Sequence, residues 1–399
     1  MIEGKNIVLG ITGGIAAYKS AELTRALVKK GAKVRVIMTR NATEFITPLT
    51  LQVLSGHPVF TDMWRQDVYD INHISLAEFA DLLIIAPATA NVIGKMAMGL
   101  ADDLLTTVVM ATQAPVLVCP AMNVNMYLNE IVQENMEKLK AKHFGFIAPG
   151  YGELACKVEG VGRLADIDDI MEAVESALTP KDLIGERLLV TAGPTREPFD
   201  PVRFISNHSS GKMGYALAIA ARRRGADVTL ISGPSALPVP QGVTFLSVTT
   251  AQEMRDCVVK HFENATVVIK AAAVADYRPC QQAVQKIKKK AGPMVLELER
   301  NPDIIAEIAK NKGHRIVVGF AMETENILEN ALSKLKKKGL DFIVANDLRE
   351  AGAGFQCDTN VIKILGEDGN TEALPMMDKL DAANCILDRL KRYRDNRHG

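Results

Sequence analysis

Three side chains in the first half of the chain are of types that handle protons and small substrates: His73 in "YDINHISLAEFAD", Asn123 in "CPAMNVNMY" and Cys156 in "YGELACKVEGVGRLAD". An imidazole titrates near neutrality and can move a proton. A side-chain amide can orient a substrate. A thiol with a pKa near ~8.5 is mostly a protonated donor at neutral pH. Each also has a plainer reading: His73 as a helix-capping or buried structural histidine, Asn123 as a turn or cap residue, and Cys156 as core filler. The six cysteines, at 119, 156, 257, 280, 357 and 385, are scattered with no C-x-x-C. That pattern argues against a zinc knot or a disulfide framework and fits a reducing cytoplasm.

The segments around them carry binding chemistry. "ITGGIAAYK" sets Thr12, Gly13 and Gly14 where a strand turns into a helix, either as a tight turn or as an anion site built from free N–H groups. "IMTRNAT" ends a strand on Thr39, a candidate phosphate hydroxyl, and "IIAPATANVIGK" strings the small residues Ala88, Thr89 and Asn91 where a flat ring can approach backbone. No G-x-G-x-x-G is present, so the three loops suit a mononucleotide such as a flavin monophosphate better than a dinucleotide. In the second half, "TAGPTREPFDPVRFISNHSSGKMGYALA" is a long polar loop entering a helix, with Ser209, Ser210 and Gly211 read as its N-cap cluster. It lacks the spacing of a Walker P-loop. "VIKAAAVADYRP" puts Asp276 past a strand end, for Mg2+ or a nucleotide group, or as a plain turn aspartate. "RNPDIIAEIA" starts a helix near Pro302 and offers an anion site, and "VVGFAMET" places Phe320 where it can stack on a base. The lysine clusters "QKIKKKAG" and "SKLKKKGLD" read as solvated faces that could also neutralise a triphosphate.

The elements that position these residues repeat. "NIVLGI", a Gly turn, a helical stretch ending at Gly31 and "AKVRVIMT" form one strand–helix–strand opening. "RLLVTAG", the polar loop, "GKMGYALAIAARRRG" and "ADVTLIS" form a second, and "KKGAKVRVIMT" aligns with "RRGADVTLISG". The fold class expected is α/β, with two doubly wound Rossmann-like domains at 1–180 and 185–399 joined near "TPKDLIGER". Further strands are expected at 82–86, 116–119 and near 243–247, 266–270, 315–320 and 341–345, with a hairpin around Asp368-Gly369 and a last helix from Lys379 to Arg392. The 399 residues are 48% hydrophobic and 24% charged, with 47 Lys+Arg balancing 47 Asp+Glu. Zero net charge points away from nucleic acid, since such binders more often carry a basic excess. The apolar stretches read neither as a signal peptide nor as a membrane span, so a cytoplasmic protein with no membrane partner is expected.

"GITGGIAAYK", "APATAN…K…GLADDLL", "PAMNVNMY" and "LAC…GVGRLAD" resemble, in order and spacing, the flavin-dependent cysteine decarboxylases. With the second-half motifs, nearly the whole chain resembles the bifunctional bacterial phosphopantothenoylcysteine decarboxylase / phosphopantothenate–cysteine ligase family of coenzyme A synthesis. The resemblance implies a flavoprotein decarboxylase-type first domain using FMN, bound by Thr12, Gly13, Gly14, Thr39, Ala88, Thr89 and Asn91. It implies His73 for the oxidative and decarboxylation step, Asn123 with Met126 for holding substrate, and Cys156 as proton donor on a flap. It implies a ligase-type second domain that takes 4'-phosphopantothenate, cysteine and CTP through an acyl-cytidylate. Its CTP contacts would be Ala272, Ala273, Asp276, Lys286, Pro302, Asp303, Ile304, Ile305, Phe320, Lys334 and Lys338, with Asp276 as Mg2+ ligand. Arg203 and Asn207 would stabilise the intermediate and Lys286 its phosphoryl centre, with 280–292 as a closing flap. It further implies a homo-oligomer of trimeric decarboxylase cores and dimeric ligase domains, up to a dodecamer.

One position departs from the family pattern: Lys157 follows Cys156 where Gly is expected. If that position needs positive φ, a lysine there costs roughly 1 kcal/mol or more; the decarboxylase is nonetheless expected to be active. Two alternatives compete: a nicotinamide-dependent oxidoreductase on paired Rossmann-like domains, and a non-catalytic flavin-binding regulatory subunit. The missing dinucleotide fingerprint argues against the first, and the joint presence of His73, Asn123 and Cys156 against the second.

Overall fold

The computed structural model describes residues 2–64, 72–153, 159–289, 292–323, 327–347, 357–367 and 369–398. The chain divides into two compact units, Met1–Thr179 and Pro180–Gly399.

The first unit is built on six parallel strands: β1 (Asn6–Ile11), β2 (Lys33–Met38), β3 (Val59–Phe60), β4 (Leu82–Ala88), β5 (Val116–Pro120) and β6 (Gly145–Phe146), in the order β3-β2-β1-β4-β5-β6. The uninterrupted apolar character of β1 and β4 has a direct cause. Ile7, Leu9 and Ile11 enter the core on one face together with Leu82, Ile84 and Ala86, while Val8, Leu83 and Ile85 enter the core on the other. A parallel sheet covered by helices on both faces must be apolar at every position. A hairpin of β7 (Gly150–Glu153) and β8 (Glu159–Arg163) follows. Cys156 and Lys157, at its tip in sequence, lie outside the described residues, and so does the flap expected there.

The second unit repeats the plan. β9 (Arg187–Ala192), the small hairpin β10 (Arg196–Pro198) and β11 (Phe204–Ser206), then β12 (Asp227–Ser232), β13 (Thr244–Ser247) and β14 (Val267–Lys270) lead to a second hairpin, β15 (Tyr277–Pro279) and β16 (Leu298–Arg300). β17 (Ile316–Glu323), β18 (Phe342–Asp347), β19 (Thr359–Asn360), β20 (Ile362–Gly366), β21 (Thr371–Ala373) and β22 (Met377–Asp378) complete it. The sheet runs β13-β12-β9-β14-β17-β18-β20-β21; its first six strands are parallel, in the same winding as the first unit, and β20 and β21 close it antiparallel. The expected doubly wound α/β architecture is therefore present twice, and the expected strands all form.

The aligned glycines explain part of the likeness. Gly31 (φ 85°) and Gly225 (φ 90°) each follow the last turn of a helix, Lys19–Lys29 and Lys212–Arg223, in the left-handed conformation that ends a helix at little cost only for glycine. The last helix runs Lys379–His398, past the expected end at Arg392. Its extra turns are anchored by the Tyr393 hydroxyl on Asp341 (3.1 Å) and by Arg394 on Glu186. The hairpin expected near Asp368-Gly369 is β20–β21; Asp368 itself lies outside the described residues. Among the described residues no helix is long and apolar enough to cross a membrane.

Candidate active sites

In the first unit the C-terminal ends of β1, β2, β4 and β5 surround a cavity of about 1250 Å3. Of the residues expected to bind cofactor or substrate, Gly13, Gly14, Thr39, Thr89, Asn91, Asn123 and Met126 line it. Thr12 and Ala88 do not; they are fully buried behind the wall and hold it in place. The Thr12 hydroxyl donates to the Pro87 carbonyl (2.7 Å) and accepts from the Thr89 N–H (3.0 Å), tying the β1 loop to the β4 loop. The Ala88 carbonyl accepts from the Ala121 N–H (3.0 Å), tying β4 to β5.

The β1 loop enters a short 3-10 turn, Ile15–Tyr18, capped at Gly14 without a side-chain hydrogen bond, before the helix Lys19–Lys29 begins. Gly13 is required by space: a Cβ there would lie 2.4 Å from Asn41 Cβ and 2.9 Å from the Asn41 carbonyl oxygen. Thr39 Oγ1 is buried and has no hydrogen-bond partner among the described residues. A buried hydroxyl without a partner is costly, so its position at the cavity wall marks a place for a polar ligand atom. Asn123 meets both of its readings at once. It caps the short helix Val124–Tyr127, accepting from the Asn125 N–H at 2.9 Å, and it lines the cavity. His73 stands in the first turn of the helix Asn72–Phe79, half-buried, and is not among the residues that line the cavity.

Sequence reasoning gave no role to Lys95, Asp102 and Asp103, which also line this cavity. Lys95 Nζ lies 2.8 Å from Asp102 Oδ1 and 3.3 Å from Asp103 Oδ2. The hydrogen bond to Asp102 holds the lysine above its usual pKa and the aspartate below its own. Asp103 also caps the helix Leu104–Ala111 through the Thr106 N–H (2.8 Å). The signal was visible in "GKMAMGLADD", where a lone lysine precedes two adjacent carboxylates across a helix end and a glycine turn.

In the second unit a cavity of about 150 Å3 is lined by Ser209, Ser210, Gly211 and Lys212 on one side and by Ala272, Ala273 and Phe320 on the other. Within the Ser209–Gly211 cluster expected to open the helix Lys212–Arg223, the cap is Gly211, in the left-handed conformation (φ 84°). A Cβ at Gly211 would press on the Gly193 backbone at 3.2 Å, so only glycine fits, and Ser209 Oγ instead accepts from the Gly211 N–H at 3.3 Å. Lys379, missed by the sequence reading, also lines this cavity at 7% exposure. Its amine contacts the Cys357 carbonyl, and burial followed by the nearby Lys212 lowers its pKa.

The remaining residues expected to contact nucleotide fall into separate places. Asp303 caps the helix Ile304–Lys310 by accepting from the Ala306 N–H (3.2 Å) and pairs with Lys338 Nζ at 2.8 Å. Ile304 and Ile305 put their side chains into the core, so only their backbone can face a ligand. Pro302 is half-buried before that cap, and Lys334 is exposed on the helix Ile327–Lys338. Lys270, at the end of β14, joins this group: burial first and Lys338 second push its pKa down to about 8, against the opposing pull of Asp303 and Asp276. Asp276 is exposed, its carbonyl accepting from the Asn301 N–H (2.9 Å). Among the described residues no three His, Cys, Asp or Glu side chains gather as a metal cluster. Asn207 Nδ2 donates to the Ala273 carbonyl (3.0 Å), which joins it to the small cavity's wall. Arg203 is engaged by Asp200, and Lys286 is exposed on the segment beside it.

Residues 1–179 match the family Flavoprotein, and residues 183–393 match the DNA/pantothenate metabolism flavoprotein C-terminal domain. The chain is 48% identical to the coenzyme A biosynthesis bifunctional protein CoaBC of Bacillus subtilis (strain 168), over 97% of each chain. It is 46% identical to that of Escherichia coli (strain K12), over 98% of this chain and 97% of that protein. The chain belongs to the CoaBC family. It is a bifunctional enzyme of coenzyme A biosynthesis, pairing a flavoprotein decarboxylase with a ligase. The nicotinamide-dependent oxidoreductase alternative finds no support in a CoaBC protein, whose two halves match a flavoprotein family and a pantothenate-metabolism family.

Proposed function

We propose that the Pro180–Gly399 unit joins cysteine to 4'-phosphopantothenate with CTP, and that the Met1–Thr179 unit then decarboxylates the product with FMN to 4'-phosphopantetheine. The observation that carries this reading is the unpartnered Thr39 hydroxyl in a large cavity that also holds the Asn123 amide.

The residues of the first cavity fit FMN. Thr39 Oγ1 is free to donate to a phosphate, and the packing of Gly13 against Asn41 keeps the β1 loop low beside it. Gly14, Thr89 and Asn91 would hold the remainder of the cofactor, with Thr12 and Ala88 fixing their loops from behind. FMN supplies a two-electron acceptor and donor for a substrate thiol. Asn123 would hold the substrate carboxylate beside Met126, His73 would serve the oxidative and decarboxylation step, and Cys156 would donate the closing proton. Lys157 beside it is compatible with that role if the position does not need positive φ.

In the second unit, the phosphopantothenate carboxylate would attack the α-phosphate of CTP, forming the acyl-cytidylate and releasing pyrophosphate. The cysteine amine would then attack the acyl carbon, releasing CMP. Ala272, Ala273, Phe320, Asp303, Lys334 and Lys338 would hold CTP, and Asn207, Arg203 and Lys286 would stabilise the intermediate. Mg2+ fits as an ion carried mainly by the phosphates, with Asp276 as one protein carboxylate.

A homo-oligomer in the cytoplasm, with trimeric decarboxylase units and paired ligase units, completes the reading. Support comes from large apolar side chains left exposed on the first unit, among them Leu49 (66%), Val53 (73%), Leu128 (61%) and Ile131 (66%). The test supplies 4'-phosphopantothenate, cysteine and Mg2+ with either CTP or ATP, and follows pyrophosphate, CO2 and phosphopantetheine separately. All three products with CTP are expected; pyrophosphate without CO2 would refute the decarboxylase half.

A further inference from the structure

The turn between β10 and β11 is organised by one buried carboxylate. Asp200 is 1% exposed, and its two oxygens accept from five donors. Oδ1 takes the N–H groups of Val202 (2.9 Å) and Arg203 (2.8 Å), which are the ordinary partners of a turn aspartate. Oδ2 takes Arg203 Nε (2.9 Å) and Nη2 (2.5 Å), and also the N–H of Ile287 at 3.2 Å. Arg203 Nη2 returns to the Ile287 carbonyl at 3.0 Å. Both backbone groups of Ile287 are thus held by one ion pair more than 80 residues away in sequence. A third tie, from the Ala283 N–H to the Phe199 carbonyl (3.0 Å), fixes the same segment upstream.

A turn needs only the Oδ1 bonds. Arg203 and Ile287 meet on Oδ2, and Arg203 also pulls the Asp200 carboxyl well below the usual carboxylate range. Residues 281–289 form neither helix nor strand, so these three hydrogen bonds decide where the exposed Lys286 stands relative to Arg203. The same contacts orient the guanidinium. Nε and Nη2 are engaged, and Nη1 has no hydrogen-bond partner among the described residues, in a side chain 37% exposed.

We propose that Asp200 is the positioning residue of the ligase site: it docks the Lys286-bearing segment on the β10–β11 hairpin and aims the Nη1 edge of an Arg203 guanidinium whose face lies over the Phe199 ring, 5.1 Å from its centroid. The inference rests on the reading above that Arg203 and Lys286 serve the ligation.

The test uses the full chain and two variants. Asp200→Asn keeps one oxygen for the turn and sets an NH2 donor against the Arg203 and Ile287 donors. Ile287→Pro removes one N–H and leaves the Asp200–Arg203 pair intact. For each, tryptic cleavage after Lys288 and Lys289 is timed on folded protein, since a proline at 287 would itself block cleavage after Lys286, and ligation is measured as kcat and KM for CTP. For Asp200→Asn, cleavage should quicken at least ~10-fold and kcat should fall ~10- to 100-fold with KM within ~3-fold, as for a misplaced rather than a missing binding group. Ile287→Pro should show the same signature more weakly, and it decides the matter if Asp200→Asn does not fold. Cleavage at the wild-type rate overturns the docking. Faster cleavage with wild-type kcat overturns the positioning role. If the wild-type chain releases no pyrophosphate from CTP and 4'-phosphopantothenate, the ligase reading fails and takes the positioning role with it, while the cleavage rates still decide the docking.

Discussion

At the residue scale, Lys270 shows how burial makes a lysine responsive near neutrality. Its pKa of about 8 lies below that of an unfolded lysine, so between about 8 and 10.5 the unfolded chain binds more protons than the folded one. Stability from this group therefore rises with pH across that window, and its penalty is fully present below about 8. Lys270→Met should raise the melting temperature at pH 7, the equivalent of about 3 kcal/mol before solvent screening is discounted, with the gain fading toward pH 10.5. An anion seated among Lys270, Lys334 and Lys338 would restore the charge. CTP binding at pH 8 should accordingly take up protons, read as buffer-dependent binding enthalpies in calorimetry; identical enthalpies in buffers of different ionisation heat would contradict it. Neither Lys270 nor Lys379 stood out in the sequence. A lone lysine reads as surface until the packing of helices over the strand end removes its water.

At the element scale, strand-end loops become a site only through their mutual ties. Gly13→Ala should force Asn41 aside, because its Cβ would overlap that backbone, and the purified protein should lose its yellow colour and retain at least ~10-fold less FMN. Thr12→Val removes the two bonds joining the β1 and β4 loops and buries two unsatisfied groups. It should cost about 1–3 kcal/mol in denaturant unfolding and weaken FMN retention, although Thr12 does not line the cavity. Full retention in Thr12→Val would show that the loops hold their places without it. These elements were legible because central strands such as β1 and β4 are buried on both faces and the helices Lys19–Lys29 and Lys212–Arg223 run out at Gly31 and Gly225. The small hairpins β10–β11 and β15–β16 were not: three-residue strands carry too little periodicity, and side chains such as Asp200 define them.

At the scale of the whole molecule, two sites on two units predict separable activities. Asn123→Ala should leave pyrophosphate release at the wild-type rate and accumulate 4'-phosphopantothenoylcysteine. Asn207→Ala should block its formation while supplied 4'-phosphopantothenoylcysteine is still decarboxylated. Loss of both activities in either variant would contradict the division, provided the melting profile is unchanged. The sequence by itself determined the doubly wound plan, its repetition, the flavoprotein and ligase character of the halves and the absence of a dinucleotide fingerprint. These follow from local patterns: apolar runs of strand length, glycine at helix ends, and motifs in a fixed order. Only the tertiary structure decided that Thr12 and Ala88 stand behind the cavity wall, which member of the Ser209–Gly211 cluster caps the helix Lys212–Arg223, that Ile304 and Ile305 turn inward, and that Asp200 binds Arg203 and Ile287 together. Each depends on which atoms meet in the folded chain, Thr12 with Thr89, Ala88 with Ala121, Gly211 with Gly193 and Asp200 with Ile287, and sequence pattern does not encode that meeting.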